Sequence, residues 1–584
     1  MTPGLAGFVA SSDAADGWDD AVAAIMATLG QGFTVVREDR VPETPTMLMA
    51  PRRRTWLDTF DWRLYRSGLL LEYIPLHRGG ELRLTALPAA AATPTTTLVA
   101  ATPRPTPSST PGAGMRAASA GLVIAVQPVA GWRSSRAHLA ADLPAGPVAD
   151  RVAGLIAPRA LQSVVSVTTT VAVSRLLNED AKTVARLLVE RPALVATAGM
   201  PTVPKLAPRI SVLAVRGYPG QARRAARIVS ESGGAALGTG TLLDEALAAL
   251  GRTPADYSNK VNAKITGGMA SAQAVAIILL RLLDMAEVNA PGVVKDIDTE
   301  FLHDFRVAVR RTRAALKLLG GALSLPGGTA GFAREFKWLG DVTTPTRDLD
   351  VHLLGFEDMV KSLKAAKPDD LEPFRAYLTE RRATAFRALS RALRSQRFRD
   401  LMREWRATLT PISEGKAVGG RKRTGMRISA ATLAAESTRR AFVKVARMGG
   451  AITPDSPHES LHDLRKRCKE LRYALEFFAP LHTPSAYARV VGDLKRLQDC
   501  LGIFQDDEVQ IAEIRSLATA MLAAHEAPAV TLLAMGEITA GLAAGQAAAR
   551  ADFERRFADF AGIDGQRRMS ALLRGKSPLP GAAE

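Results

Sequence analysis

FLHDFRVAVRRTRAALKLLG, residues 301–320, carries the reading of the architecture. At about 100° per residue an α-helix gathers His303, Arg306, Arg310, Arg313 and Lys317 within an arc of roughly 80°. Phe305, Val309, Leu316 and Leu319 centre on a side roughly 120° away, available for packing. Arg311 stands about 100° from Arg310, at the margin of the basic stripe at best. A second copy follows as SLHDLRKRCKELRYALEFF (460–478), where His462, Arg465, Lys469 and Arg472 repeat the offsets of His303, Arg306, Arg310 and Arg313. The sequel repeats too. EFKWLGDVTTPTRDLDV (335–351) aligns without gaps to DLKRLQDCLGIFQDDEV (493–509), setting Lys337 on Lys495, Trp338 on Arg496 and Asp348 on Asp506. The chain therefore contains an internal duplication of a helical unit.

Outward from the repeats, nearly every segment beyond residue 240 is rich in Ala, Leu and Arg with helical periodicity. Gly and Pro clusters interrupt it, as at LPGG (325–328) and TPDSP (453–457). This half is expected to be an all-α bundle with two pseudo-symmetric halves. The first 235 residues have another texture. LLLEYIPLHRGGELRLTAL (69–87) reads as two strands joined around Gly79-Gly80, and LVIAVQPV (122–129), SVVSVTTTVAV (163–173) and PRISVLAVRG (208–217) read as further strands. PGQARRAARIVSESGG (219–234) reads as a helix with a glycine stop. An α+β domain over 1–235 is expected, with a low-complexity insertion at 88–120. A linker over 236–259, a helical domain over 260–563 and a C-terminal tail over 564–584 complete the expected organisation.

The chain's 584 residues exceed what one core usually holds, and two or three domains are expected from length. Lys and Arg number 76 against 58 Asp and Glu, a net +18, which favours a polyanionic partner or an anionic surface. Residues 301–510 hold 38 Lys and Arg against 25 Asp and Glu, so +13 of that excess lies around the repeats. The carboxylates are too few to pair both stripes, and two such helices side by side would form a continuous cationic groove. Arg and Lys are the side chains that grip phosphate oxygens. The paired histidines are candidate contacts, with the imidazolium form as a donor. Asp348 and Asp350 are expected to pair with Arg347 or nearby stripe cations, Trp338, Trp405 and Tyr473 to be core or groove wall, and Arg421–Arg423 to form a solvated loop. Cys468 and Cys500 suit a reducing compartment and have no metal-spaced partners. With no secretory signal and no charge-free apolar span, a cytoplasmic protein without a membrane span is expected. No P-loop, dinucleotide fingerprint or nucleophile elbow is present.

The pattern His-x-x-Arg-x-x-x-Arg-Arg-x-Arg, the Arg-Asp-Leu-Asp-Val segment and the second His-x-x-Arg-x-x-x-Lys-x-x-Arg-Tyr helix resemble the CHAD domain (conserved histidine α-helical domain) over residues 260–563. The resemblance implies binding of inorganic polyphosphate and association with polyphosphate granules, with no cofactor. Carried over, the implied contacts are His303, Arg306, Arg310, Arg313 and Lys317, then His462, Arg465, Lys469 and Arg472. Arg311, Lys337, Lys466 and Lys495 are further members of the groove.

WLDTFDWRLYRSGLLLEYIPLHRGGELRLTAL (56–87) is similar to part of the CYTH family, tunnel-shaped metal-dependent triphosphate hydrolases often fused to such helical domains. The family's opening Glu-x-Glu-x-Lys strand is missing from the first 50 residues. Glu72 and Ile74 stand where arginines would face the tunnel, Thr85 where a lysine is expected, and Ser211 and Leu213 where carboxylates are expected. Hard cations require oxygen ligands. The N-terminal domain is therefore expected to be a degenerate relative, non-catalytic and without a metal. Two other functions stay open: a triphosphatase or polyphosphatase acting through that domain, and a nucleic-acid binder. The stripes' lack of aromatics for base stacking points away from the second except as non-specific binding.

Overall fold

A computed structural model describes residues 5–10, 18–38, 52–87, 122–196, 203–204, 206–232, 235–237, 241–323, 325, 328–416 and 428–574. The insertion at 88–120 and Arg421–Arg423 lie outside the described residues. The chain divides into two compact units, Met1–Ser258 and Asn259–Glu584.

The first unit is a ten-stranded antiparallel sheet with helices. Its strands are β1 (Leu5–Ala10), β2 (Thr34–Arg37), β3 (Arg52–Thr59), β4 (Leu69–Pro75), β5 (Gly80–Ala86), β6 (Val123–Val129), β7 (Leu161–Leu177), β8 (Thr183–Leu194), β9 (Arg209–Ala214) and β10 (Ala235–Leu237). The order is β10-β1-β9-β8-β7-β3-β4-β5-β6, with β2 also on β7. Five helices join it: α1 (Trp18–Gly30), α2 (Arg63–Arg66), α3 (Ala149–Ile156), α4 (Pro219–Glu231) and α5 (Leu242–Ala249). Apolar positions at period two give the sheet a face for helices. Leu187, Val189, Ile210 and Val212 pack with Ile25 and Leu29 of α1 and Ala225 and Val229 of α4. Leu71, Leu82 and Leu84 pack with Val152 and Ile156 of α3.

Register places Trp56, Glu72 and Arg83 in one row on the other face, with Arg54 two residues before Trp56. Burial raises the Glu72 pKa, offset by Arg54 and Arg83, and Arg83 is paired with Glu81 at 2.7 Å. Ser211 is buried. The expected linker is part of this unit: β10 pairs with β1, and α5 packs Leu242, Leu243, Ala246 and Leu247 against Trp56, Val165, Val167 and Leu194. A capping box between Thr241 and Asp244 starts that helix.

The second unit has helices and, apart from an isolated bridge between Ala270 and Ser429, no strand pairing among the described residues. Its first half holds α6 (Ser271–Val294), α7 (Thr299–Leu319), α8 (Ala330–Leu354), α9 (Phe356–Ser362), α10 (Glu372–Leu393) and α11 (Gln396–Ser413). The second half holds α12 (Ala430–Gly450), α13 (His458–Phe477), α14 (Pro484–Ala523), α15 (Ala529–Ala561) and α16 (Ile563–Leu573). The tail therefore begins as a helix, because Met569 and Leu572 bury against the core around Leu464, Leu494 and Phe553. The two basic stripes lie on α7 and α13.

α7 is held by its ends and its apolar side. Asp298 caps it by accepting from the backbone N–H groups of Glu300 and Phe301. Phe301, Phe305, Val309 and Leu316 are buried. Gly292 of α6 lets the two helices approach, since a Cβ there would fall within the buried Phe301 ring. Gly292→Ala is expected to lower stability by about 1–3 kcal/mol, the usual penalty of overpacking. The denaturant midpoint should fall with an unchanged m-value. Gly321→Ala faces open space and should not destabilise.

Candidate functional site

α7 packs against α6, α8 and α13, and α13 against α12, α14 and α7. A stripe spanning 80° on a helix with neighbours on both sides is shared between them, and the structure divides it accordingly. Between α7, α13, α14 and the segment 259–262 lies a cleft of about 1170 Å³, reached by His303, Arg310 and Arg311 from α7 and by Arg465, Lys469 and Arg472 from α13. Small-molecule sites usually enclose about 300–1,000 Å³, so this one has room for a chain.

The other candidates lie around it. Arg306 turns toward α8, where its Nη1 donates to Thr343 Oγ1 and Thr344 Oγ1, both at 2.8 Å, and to the Gly340 carbonyl at 3.3 Å. Burial lowers its pKa, opposed by Asp348. Arg313 is exposed and reaches the same α8 turn, where a Cβ on Gly340 would crowd its guanidinium. Lys337, Lys466 and Lys495 are exposed on α8, α13 and α14 and do not line the cleft, nor do Lys317 and His462.

The duplication recurs in the contacts. His303 Nδ1 meets Arg347 Nη2 at 3.1 Å, while His462 Nδ1 contacts Gln505 Oε1, and position 505 aligns with 347. Arg313 lies at Gly340, and its counterpart Arg472 donates to Gln498, the residue aligned with Gly340, at 3.3 Å. A guanidinium can only donate, so Nδ1 of His303 accepts and its ring proton resides on Nε2. Burial, then Arg347 and Arg310, push its pKa below the usual range against Glu300 and Asp304. The expected imidazolium donor is thus corrected at His303: a second proton would face Arg347.

The expectation of unpaired stripes is also corrected. Arg311 Nη2 lies 2.7 Å from Glu476, Lys317 Nζ 2.6 Å from Glu470, and Arg465 Nη2 2.8 Å from Asp506. Arg472 lies 2.7 Å from Glu476, Lys466 3.0 Å from Asp463 and Lys337 2.7 Å from Asp341. Local placement, rather than the overall charge count, decides which cations are neutralised. Asp350 pairs with Arg382 of α10 at 2.7 Å instead of a stripe cation. Asp348 acts through the field of Arg306 and Arg347, its pKa raised mainly by burial and Glu513. Trp405 is core, Tyr473 is cleft wall, and Trp338 lies under the Arg397 guanidinium at 4.1 Å.

The offset that carries His303 to His462 also carries Arg311 to Glu470 and Lys317 to Glu476. The pairs Arg311–Glu476 and Lys317–Glu470 therefore exchange positions across a pseudo-twofold, as in an isologous interface. α7 supplies both cations and α13 both carboxylates, so the halves attract as an unlike pair. Near this pseudo-axis, the equivalent residues Arg310 and Lys469 face one cleft. Among the described residues, neither side chain has a hydrogen bond or ion pair. Burial, with Arg465 and Arg310 beside it, pushes the Lys469 pKa down to about 8. Sequence reading missed Glu470 and Glu476 as members of the site, although the repeat offset reaches both, and aligned Asp506 with Asp348 without giving it a role.

Fold and site together define a duplicated helical domain with a cleft at its pseudo-dyad to which both repeats contribute Arg or Lys. Residues 277–515 match the model of the CHAD domain family. Among solved structures, the chain is similar to the CHAD domain from the plant Ricinus communis, with 25% identity and a TM-score of 0.44 over 53% of this chain and 96% of that one. It is also similar to PptA from Streptomyces chartreusis, with 16% identity and a TM-score of 0.38 over 49% and 99%. No curated protein matches the chain. Among the described residues no group of three or more His, Cys, Asp or Glu could hold a metal ion, and no helix is long and apolar enough to cross a membrane.

Proposed function

We propose that the helical unit binds inorganic polyphosphate along the cleft between α7 and α13, and associates with polyphosphate granules through it. The observation that carries this reading is the meeting of Arg310 and Lys469, unpaired and symmetry-equivalent, with Arg311, Arg465 and Arg472 around them. Two cations without ion-pair partners in a walled cleft focus positive potential where a polyanion can lie. The tyrosines lining the cleft do not offer paired open rings for bases: Tyr473 stacks on Phe477 and Tyr487 on His482. The CHAD domain itself belongs to a family linked to polyphosphate binding. Competition of long-chain polyphosphate against DNA and RNA at fixed salt tests the reading. Polyphosphate should displace both at stoichiometric charge, and preferential retention of nucleic acid would refute it.

The N-terminal unit is read as a CYTH-like accessory without hydrolase activity. Glu72 is matched by arginines, Ser211 and Leu213 replace expected carboxylates, and α5 packs on the sheet face that carries Trp56. The full chain incubated with tripolyphosphate and Mg²⁺ or Mn²⁺ should release no phosphate above background. Release abolished by a chelator would overturn this assignment.

A further inference from the structure

The second stripe ends differently from the first. Where α7 carries Lys317, the equivalent position of α13 carries Glu476, whose side chain is only 15% exposed. Its two carboxylate oxygens are divided between two guanidinia: Oε2 accepts from Arg311 Nη2 and Oε1 from Arg472 Nε, each at 2.7 Å. Both arginines and Glu476 line the cleft that holds Arg310 and Lys469. An oxyanion bridging guanidinia from two helices is the arrangement in which arginines receive a phosphate group. Here the oxyanion belongs to the protein.

We propose that Glu476 is an internal competitor for the anion, occupying the place between Arg311 and Arg472 that a phosphate of the ligand would take. The inference rests on the polyphosphate reading of the cleft and adds a specificity element to it. A tethered carboxylate competes at high effective concentration, so an anion offering one or two charges gains little by displacing it. A polymer that also engages Arg310, Lys469 and Arg465 meets the same fixed cost from a larger sum of contacts. The cleft thereby acquires a threshold of charge and length rather than a general appetite for anions.

Glu476→Gln keeps the shape and removes the charge that holds the guanidinia. In the full chain it should tighten tripolyphosphate and long-chain polyphosphate binding by about tenfold, the scale of one charge-assisted hydrogen bond. It should also steepen the salt dependence by about one to two units as two cations become available for counterion release, by analogy with nucleic acids. Glu380, exposed on α10, supplies the control for bulk charge through Glu380→Gln. Weaker binding by the Glu476 variant would make the carboxylate a support that orients the arginines, and an equal gain in the control would make the effect diffuse; either result overturns the proposal. Glu476→Asp, one methylene too short to hold both guanidinia, is judged by the same criteria if circular dichroism shows the glutamine variant unfolded. Failure of the unaltered protein to bind long-chain polyphosphate would instead refute the reading of the cleft, and the competitor role with it.

Discussion

Arg310→Ala combined with Lys469→Ala is expected to weaken long-chain polyphosphate binding by about a hundredfold, at the scale of two lost charge-assisted contacts. These are the cleft cations of α7 and α13 whose side chains have no ion-pair partner among the described residues, so a ligand need not displace a carboxylate to reach them. Of the other cleft cations on these two helices, Arg311 and Arg472 divide their charge with Glu476 and Arg465 with Asp506. The salt dependence of the double variant should be flatter by about one to two units, taking the coefficients known for single-stranded and duplex nucleic acids. The fold should persist. Arg310 is exposed, an exposed charge contributes little to stability, and removing Lys469 relieves a like-charge contact with Arg310 and Arg465. Circular dichroism and a thermal melt check that part. Arg223→Ala with Arg224→Ala, on the exposed face of α4, removes the same charge elsewhere. If that pair weakens binding as much, the cleft is only part of a diffuse positive field and the site assignment fails.

Periodicity exposed the two stripes because charge on a helix repeats with the helix. It could not divide them, because the division depends on what lies beside the helix. Arg306 and Arg310 are one turn apart, yet Arg306 is held by threonines of α8 while Arg310 enters the cleft with α13. Arg311, at the stripe's margin by angle, is a cleft residue because Asn259 and Glu476 hold it there. The carboxylates were hidden for a similar reason. Composition counts charge, whereas Glu470 and Glu476 act through positions set by the pseudo-twofold. Carrying the repeat one turn beyond Arg472 would have placed Glu476 on Lys317 and shown the reversal.

The N-terminal unit was legible where its strands alternate and end at turns, as at the Gly79-Gly80 hairpin. β8 was overlooked: Arg186, Glu190 and Arg191 break the apolar run of 183–194, and only pairing with β7 and β9 makes it a strand. The short helix α5 was read as linker because eight residues carry little periodic signal. Its assignment comes from the tertiary contacts of Leu242 and Leu243 with Trp56 and Val165.

Polyphosphate affinity should fall as pH rises through about 8, and Lys469 should be the cause. Burial, then Arg465 and Arg310, hold its pKa near 8 rather than 10.5, against the weaker pull of Asp506. A polyanion laid beside it favours the ammonium, so the bound pKa lies above the free one. Below pH 8 the ammonium is present before and after binding, and affinity is pH-independent as far as this group is concerned. Between the free and bound values binding takes up a proton, and the logarithm of affinity declines by up to about one unit per pH unit. The arginines around the cleft keep their charge throughout, His303 is pushed to lower pH and Tyr487 to higher pH, each chiefly by burial. Folding responds with the opposite sign. The unfolded chain binds more protons at Lys469 than the native one between about pH 8 and 10.5, so this group's contribution makes stability rise across that window. Calorimetry in buffers of different ionisation enthalpy should detect the proton taken up near pH 8.5, and denaturant unfolding should report the stability trend. Lys469→Arg keeps the charge and fixes it, so both pH dependences should flatten. If that variant loses affinity between pH 8 and 9 as steeply as the unaltered protein does, the titrating group is elsewhere and Lys469 is not the residue that meets the polymer.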